Sequence, residues 1–338
     1  MDDTQYGTRN KRGDYVPNEP AQYAPLFSFP PKPAALLKWL PHYFWPYNIL
    51  FGLSALAWWY WILPDVEAMA APSWGWVAKL FIINLVSIFV WFGIFEFRLY
   101  IRRAQGSRFK FNAKWPSENP SSAFFFKSQN IDSFIWTVFS AIPIWTGVQV
   151  IVFWVYANGW VPWLTIAENP IYLVCLALVV PILHEFHFFC IHRLFHTPFL
   201  YKYVHSVHHN SVNPSPFSSL AMHPVEHLLY LGVMAWHLII PSNPMIALYQ
   251  LHFAGFGAIP GHVGFEKIEI GEETAMDSHA YIHHLHHKKF EVNYGDGLIP
   301  LDKLFGTFHD GSPEAEARML ARFERKKARM KARAGKAT

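Results

Sequence analysis

The sequence predicts an all-α integral membrane protein: about four transmembrane helices plus a hairpin or re-entrant pair, with a histidine-rich helical cap on the cytoplasmic side. Three observations carry this reading. Of 338 residues, 52% are hydrophobic, 18% aromatic and only 15% charged, where soluble chains carry roughly 25% charged residues. The apolar residues gather in runs close to the length that crosses a bilayer, about 20 residues. Eighteen of the nineteen histidines fall between His184 and His309. The composition excludes a disordered chain, which needs low hydrophobicity. Cys175 and Cys190, both in apolar surroundings, rule out a disulfide-stapled secreted scaffold and a cysteine-ligated zinc finger.

Residues 1–44 contain Pro17, Pro20, Pro25, Pro30, Pro31 and Pro33 and read as an irregular cytoplasmic arm. No charged-then-apolar leader opens the chain. The first two spans are expected at 45–63 and 76–95, with aromatic residues at both ends as interface anchors. A third runs over 134–156, interrupted only by Pro143, Thr146, Gly147 and Gln149. The fourth begins at residue 171 and continues toward the histidines. Residues 228–259 hold two shorter apolar stretches split by Pro241-Ser-Asn-Pro244, which suit a helical hairpin or a re-entrant pair equally. Arg98, Arg102, Arg103, Arg108, Lys110 and Lys114 follow the second span, whereas Asp65 and Glu67 precede it. The positive-inside rule then puts the histidine-bearing end of the fourth span, and both termini, in the cytoplasm. Residues 45–310 form the membrane-embedded domain. Residues 311–338 carry nine basic residues (Arg318, Arg322, Arg325, Lys326, Lys327, Arg329, Lys331, Arg333 and Lys336) against three acidic ones, a solvated, partly helical tail suited to anionic head groups. No groove-reading or stacking element accompanies it, so nucleic acid is not an expected partner.

The histidine spacings carry the chemistry. His192 and His196 are four apart, and His205-x-x-His208-His209 and His283-x-x-His286-His287 repeat one pattern. On a helix, positions i, i+3 and i+4 share a face, so each segment aims its imidazoles at one region. Neutral imidazole suits iron, zinc, copper or nickel. Eight such nitrogens on three segments exceed what one ion takes, and two ions sharing them is the economical solution.

With His223-Pro224-Val225-Glu226 between the boxes, Asn293-Tyr294-Gly295 after them, and Asp302-Lys303-Leu304-Phe305-Gly306-Thr307-Phe308 beyond, residues 185–309 resemble the fatty acid hydroxylase superfamily, which includes sterol desaturases, sterol methyl oxidases and sphingolipid or fatty acyl hydroxylases. The first 130 residues match only in being hydrophobic. The resemblance implies a membrane-embedded non-haem pair of iron ions, with zinc able to replace iron in purified protein, and dioxygen as co-substrate. The C–H bond attacked belongs to a lipid taken from the bilayer, fatty acyl or sterol-like, and the product is an alcohol or a double bond. Carried over by position, His192, His196, His205, His208, His209, His283, His286 and His287 are metal ligands. His262, in Gly261-His262-Val263-Gly264, matches an isolated family histidine and is the ninth. His223 is either a tenth or a group fixing a ligand tautomer. Glu185 lies seven residues before His192, where the family often has aspartate, and is expected to accept from a ligand's free N–H, with direct ligation of a metal the alternative. His184 and His187 stand where the family often has apolar or aromatic residues; hydrogen-bonded packing is the first reading, extension of the metal shell the second. His279 and His284 are read as supporting or surface groups, His237 and His252 as polar residues of the apolar hairpin, and His42 and His309 as uninvolved.

Two rival classes exist. His223-Pro224-Val225-Glu226-His227 formally matches the H-x-x-E-H pattern of a membrane metallopeptidase, but one zinc leaves the other boxes unexplained. A metal transport or storage protein would want ionisable residues along several spans, and the first three are nearly free of them. No nucleotide-binding signature and no fused electron-carrier domain is present, so reducing equivalents are expected from a separate partner, a ferredoxin or a b-type cytochrome with its reductase.

Overall fold

The computed structural model describes residues 1–334. The elements used below, in chain order, are β1 (Gly7–Arg9), β2 (Tyr15–Pro17), α1 (Pro33–Phe44), α2 (Tyr47–Ala57), α3 (Trp74–Ile101), α4 (Gln129–Ala157), α5 (Pro170–Phe195), α6 (Pro224–Leu231), α7 (Pro244–His262), β3 (Lys267–Glu269), β4 (Ala275–Asp277), α8 (Tyr281–Lys289) and α9 (Pro313–Ala334). The fold is mostly helical, and the two β pairs are short antiparallel ribbons.

Among the described residues, three helices are long and apolar enough to cross a membrane, namely α3, α4 and α5. They correspond to the second, third and fourth expected spans and make the chain a membrane protein. The first expected span is shorter, an 11-residue α2 extended by the five-residue widened turn Trp58–Ile62. Helix α3 shows how such a segment divides its faces. Leu80, Asn84, Ile88 and Phe92 are buried, whereas Ile82, Val86, Val90 and Ile94 are exposed. Both series step by four residues, so each forms a stripe. An exposed aliphatic stripe of this length is costly in water and natural in lipid.

The polar interruptions of the third span have partners. Asn84 donates through Nδ2 to Thr146 Oγ1 at 2.9 Å and to Gln149 Oε1 at 2.7 Å, joining α3 to α4, as polar side chains do between helices in an apolar medium. Helix α7, the second arm of the expected hairpin, is the central element. Fourteen of its 19 residues are buried, which is the condition of a helix apolar on all sides. Gly255 permits the close packing of α4, because a Cβ there would stand 1.7 Å from Cζ3 of Trp145.

The N-terminal arm departs from expectation: it is folded rather than irregular. β1 and β2 pair, and Tyr15 packs with Phe109, Phe111 and Ala280 in a small separate core. Tyr15 donates to Glu266 at 2.7 Å, Asp3 accepts from the Phe109 N–H at 3.1 Å, and Ala21 and Ala24 donate their backbone N–H groups to the carbonyls of Asp310 and Gly297. These anchors lie far along the chain, out of reach of local pattern. The basic tail forms α9, held by Arg322 donating to the Gly306 carbonyl at 2.8 Å and by Lys326 pairing with Glu291 at 2.6 Å. Lys336 lies outside the described residues.

Candidate metal centre

The nine histidines expected as ligands come together in two groups, with His192, His196, His205, His209 and His286 in one and His208, His262, His283 and His287 in the other. The division follows helix phase. The segment bearing His205, His208 and His209 gives its i and i+4 members to the five-membered group and its i+3 member to the other. Helix α8 does the reverse, giving His283 and His287 to the four-membered group and His286 to the five. Residues four apart share a helix face, while the adjacent residue points about 100° away. Each H-x-x-H-H box therefore serves both groups and links them. His192 and His196 at the end of α5 complete the first group, and His262 at the end of α7 completes the second.

The ring tips converge. The Nε2 atoms of His196, His209 and His286 are 3.0–3.2 Å from one another, and His262 Nε2 lies 3.0–3.2 Å from those of His208, His283 and His287. Hydrogen bonds between the rings cannot account for this. His192, His262 and His286 donate through Nδ1 to the carbonyls of Tyr294, Ala258 and Val292, at 2.9, 2.8 and 2.6 Å. In a neutral imidazole the other nitrogen then carries a lone pair and no proton. His262 Nε2 would have to accept three protons through one in-plane lone pair. A cation at the point of convergence satisfies every ring at once, and nitrogens sharing an ion at about 2.1 Å stand at these separations. The donor set fits a pair of metal ions. Burial first, and neighbouring imidazoles after it, hold His205, His208, His209, His283, His286 and His287 well below the ordinary histidine range. That direction favours the neutral ring, the form that ligates.

The surrounding groups explain the motif residues between and beyond the boxes. Asp302 accepts the N–H groups of Tyr294 and Gly295 at 3.0 and 2.9 Å and the Thr307 hydroxyl at 2.5 Å. That fixes the Tyr294 carbonyl to which His192 donates. Asn293 adopts φ 52°, a left-handed conformation that asparagine tolerates, and its side chain donates to the carbonyls of Ile282 and His309. Glu185 does not receive a ligand N–H, contrary to expectation. Its carboxylate accepts the backbone N–H groups of Asp296 and Gly297 at 3.0–3.1 Å. A Cβ at Gly295 would approach its Oε1 to 2.7 Å.

The carboxylate that does receive a ligand proton is Glu226, whose Oε1 lies 2.7 Å from His205 Nδ1, with both side chains buried. In the sequence Glu226 stands out only through the His223-Pro-Val-Glu motif and the rival peptidase pattern, and its position in that motif is the available signal. His223 stands outside both groups. It caps α6, its Nδ1 accepting from the Val225 N–H at 3.2 Å. His187 is also outside, with Nε2 donating to the Leu229 carbonyl and Nδ1 accepting from Trp236. His184 is buried against Phe253 and Tyr230, away from the clusters. His227 spends one ring nitrogen on Ser140 and the other on the Leu220 carbonyl, so the H-x-x-E-H residues converge on no common point. His237 and His252 bond Ser242 and Ser54, His284 stacks on Phe111, and His279 is exposed near Asp277.

The segment that carries these residues is similar to known proteins. The fatty acid hydroxylase family model matches residues 177–307. A Delta(7)-sterol 5(6)-desaturase of Gibberella zeae is 32% identical over 126 residues, covering 36% of this chain and 34% of that protein. A Delta(7)-sterol 5(6)-desaturase of Aspergillus fumigatus is 30% identical over 176 residues, 46% of this chain and 52% of that protein. A candidate methylsterol monooxygenase of Dictyostelium discoideum is 26% identical over 138 residues, 40% of this chain and 51% of that protein. The chain thus spans about a third to a half of the length of these curated relatives. No solved structure matches it. Residues 177–307, the segment similar to the fatty acid hydroxylase family, carry all nine imidazoles of the two linked groups.

Proposed function

We propose that the chain is a membrane lipid oxidoreductase that holds two iron ions in its histidine groups and uses dioxygen to hydroxylate or desaturate a C–H bond of a lipid. The observation that carries this reading is the convergence of nine imidazoles, eight of them buried, on two adjoining points. Bound there, a pair of redox-active ions supplies the dioxygen chemistry that no side chain of this protein can perform. His192, His196, His205, His209 and His286 would hold one ion and His208, His262, His283 and His287 the other. The chain itself does three things. Carbonyls of Tyr294, Ala258 and Val292 and the carboxylate of Glu226 fix ring orientation and proton position on four of the ligands, which raises ligand basicity. The apolar bundle excludes water from a reactive centre. A cavity reaching His192, His205, His208, His262 and His283 gives a lipid access to both groups.

The names of the relatives, sterol desaturases and a candidate sterol monooxygenase, favour a lipid oxidoreductase over transport. The engaged nitrogens of His227 count against peptidase chemistry. By the positive-inside rule, the basic segment after α3 supports a cytoplasmic side for the histidine groups and both termini. The electron donor is then a cytoplasmic-side ferredoxin or b-type cytochrome system. The test is metal stoichiometry on detergent-purified protein, expressed with iron supplied and again with zinc in excess. Close to two ions per chain, iron when iron is available, is the expected result, followed by oxidised lipid when reductant and dioxygen are added. One zinc per chain, unmoved by iron supply, would overturn the reading.

A further inference from the structure

His192 and His286 take their backing from a single loop. Residues 290–300 follow α8 without helix or strand. Within them the Tyr294 carbonyl accepts from His192 at 2.9 Å and the Val292 carbonyl from His286 at 2.6 Å. Both rings belong to the five-membered group, whereas His262 of the four-membered group is backed by the Ala258 carbonyl inside α7. A carbonyl in a helix is fixed by that helix; a carbonyl in a loop needs outside support. This loop is bent twice, with Phe290 at φ 67° and Asn293 at φ 52°, left-handed conformations that persist only where surrounding structure holds them.

Helix α9, beyond the matched segment that ends at residue 307, supplies part of that hold. Its Ala315 and Met319 are buried. Among the described residues, every side-chain hydrogen bond that α9 makes outside itself goes to residues 289–309. The Arg322 guanidinium donates to the Gly306 carbonyl at 2.8 Å and to the Glu291 carbonyl, so one planar group joins the backbone on both sides of the loop. Lys326 pairs with the Glu291 carboxylate at 2.6 Å. Glu316 meets Lys289 and His309. His309 Nδ1 accepts from the Gly311 N–H at 3.0 Å, so in the neutral ring Nε2 carries the proton and donates to Glu316 at 3.1 Å. The carbonyl held by Arg322 immediately precedes Val292. Movement of that peptide passes to the carbonyls that orient His286 and His192.

We propose that α9 braces one of the two metal positions: Arg322 and Glu316 hold the loop that orients His286 and His192, so the C-terminal helix sets the affinity of the five-histidine group and leaves the four-histidine group to α7. Both are positioning residues, acting through the loop rather than touching the ion. The proposal rests on the histidine groups holding metal as described above.

The experiment compares the detergent-purified full chain with Arg322→Ala, the Glu316→Ala/Arg322→Ala double variant, and Arg325→Ala, a control that removes a charge from an exposed position of the same helix. Each is titrated with chelator and its metal quantified, and amide hydrogen exchange is followed in the loop with and without metal. The double variant should release its first ion at about tenfold lower chelator, the low end of the range for supporting groups, with the second ion within about twofold of the unaltered protein. Arg322→Ala should shift the first ion in the same direction by less, and Arg325→Ala should shift neither. The amides of Asn293, Tyr294 and Gly295, bonded to Thr307 and Asp302, should exchange faster in the double variant, while those of α7 stay as slow as before. Unchanged release of both ions, or equal weakening of both, overturns the brace. Protein that takes up no paired ions refutes the oxidoreductase reading instead. Exchange in the metal-free chain then decides the brace, which is overturned if the loop amides of the double variant exchange at the unaltered rate.

Discussion

Replacing Glu226 by Gln should weaken one metal position and spare the other. Glu226 Oε1 lies 2.7 Å from His205 Nδ1, and the two side chains are 5% and 1% exposed. Water cannot substitute for a lost partner there. Glutamine keeps the size and an acceptor oxygen but removes the charge, so His205 becomes a weaker ligand held in nearly the same place. Loss of such a supporting partner typically costs 10–100-fold in metal affinity, about 1.4–2.8 kcal/mol. His205 belongs to the five-membered group only. In a chelator titration followed by metal quantification, the variant should release its first ion at about 10–100-fold lower chelator than the wild type, with the second ion released as before. Release of both ions at wild-type chelator concentration would refute the role assigned to Glu226. Equal weakening of both would refute the separation of the groups.

The neighbouring His227→Ala should leave metal content unchanged while costing about 1–3 kcal/mol of stability, because its two ring nitrogens serve Ser140 and the Leu220 carbonyl; loss of metal would contradict this. His208→Ala leaves three imidazoles in one group and five in the other, so one ion per chain should remain, whereas the His208→Ala/His209→Ala double variant, left with three and four, should hold its remaining ion more weakly. Full metal content in the double variant would sink the ligand assignment. Gly255→Ala drives a methyl group to within 1.7 Å of Trp145, and overpacking of this kind costs about 1–3 kcal/mol or more; a Tm equal to that of the wild type would show the α4–α7 contact to be looser than described. The Arg108 guanidinium, bonded to both oxygens of Glu269 at 2.7 Å, holds that carboxyl below its ordinary value of 4.5. A depressed carboxylate stabilises the fold above its unfolded pKa and loses that contribution as pH falls through the folded value. Glu269→Gln should therefore flatten the fall in Tm below about pH 4.5, and an unchanged acid limb would assign that limb to other groups.

Composition and spacing alone were enough for the membrane class, three of the expected spans and the eight histidines of the spaced motifs, because run length and helical periodicity are local properties of the chain; His262 came only through the family resemblance. The three helices α3, α4 and α5 lie where unbroken apolar runs stand, and the i, i+3, i+4 rule brings each box's rings to one region whatever the rest of the fold does. Assignments that depend on a distant partner were decided only by the tertiary structure. Glu185 takes its hydrogen bonds from backbone 111 and 112 residues away rather than from a ligand. Glu226, not Glu185, meets a ligand ring. Tyr15 and Ala24 are held by Glu266 and Gly297, so proline-rich local sequence gave no sign that the arm would fold against the cap. The division of the imidazoles into five and four likewise requires the path that sets α7 and α8 against the end of α5. Spacing along one helix fixes the directions its rings point relative to one another, and only the packing of several helices fixes where those directions meet.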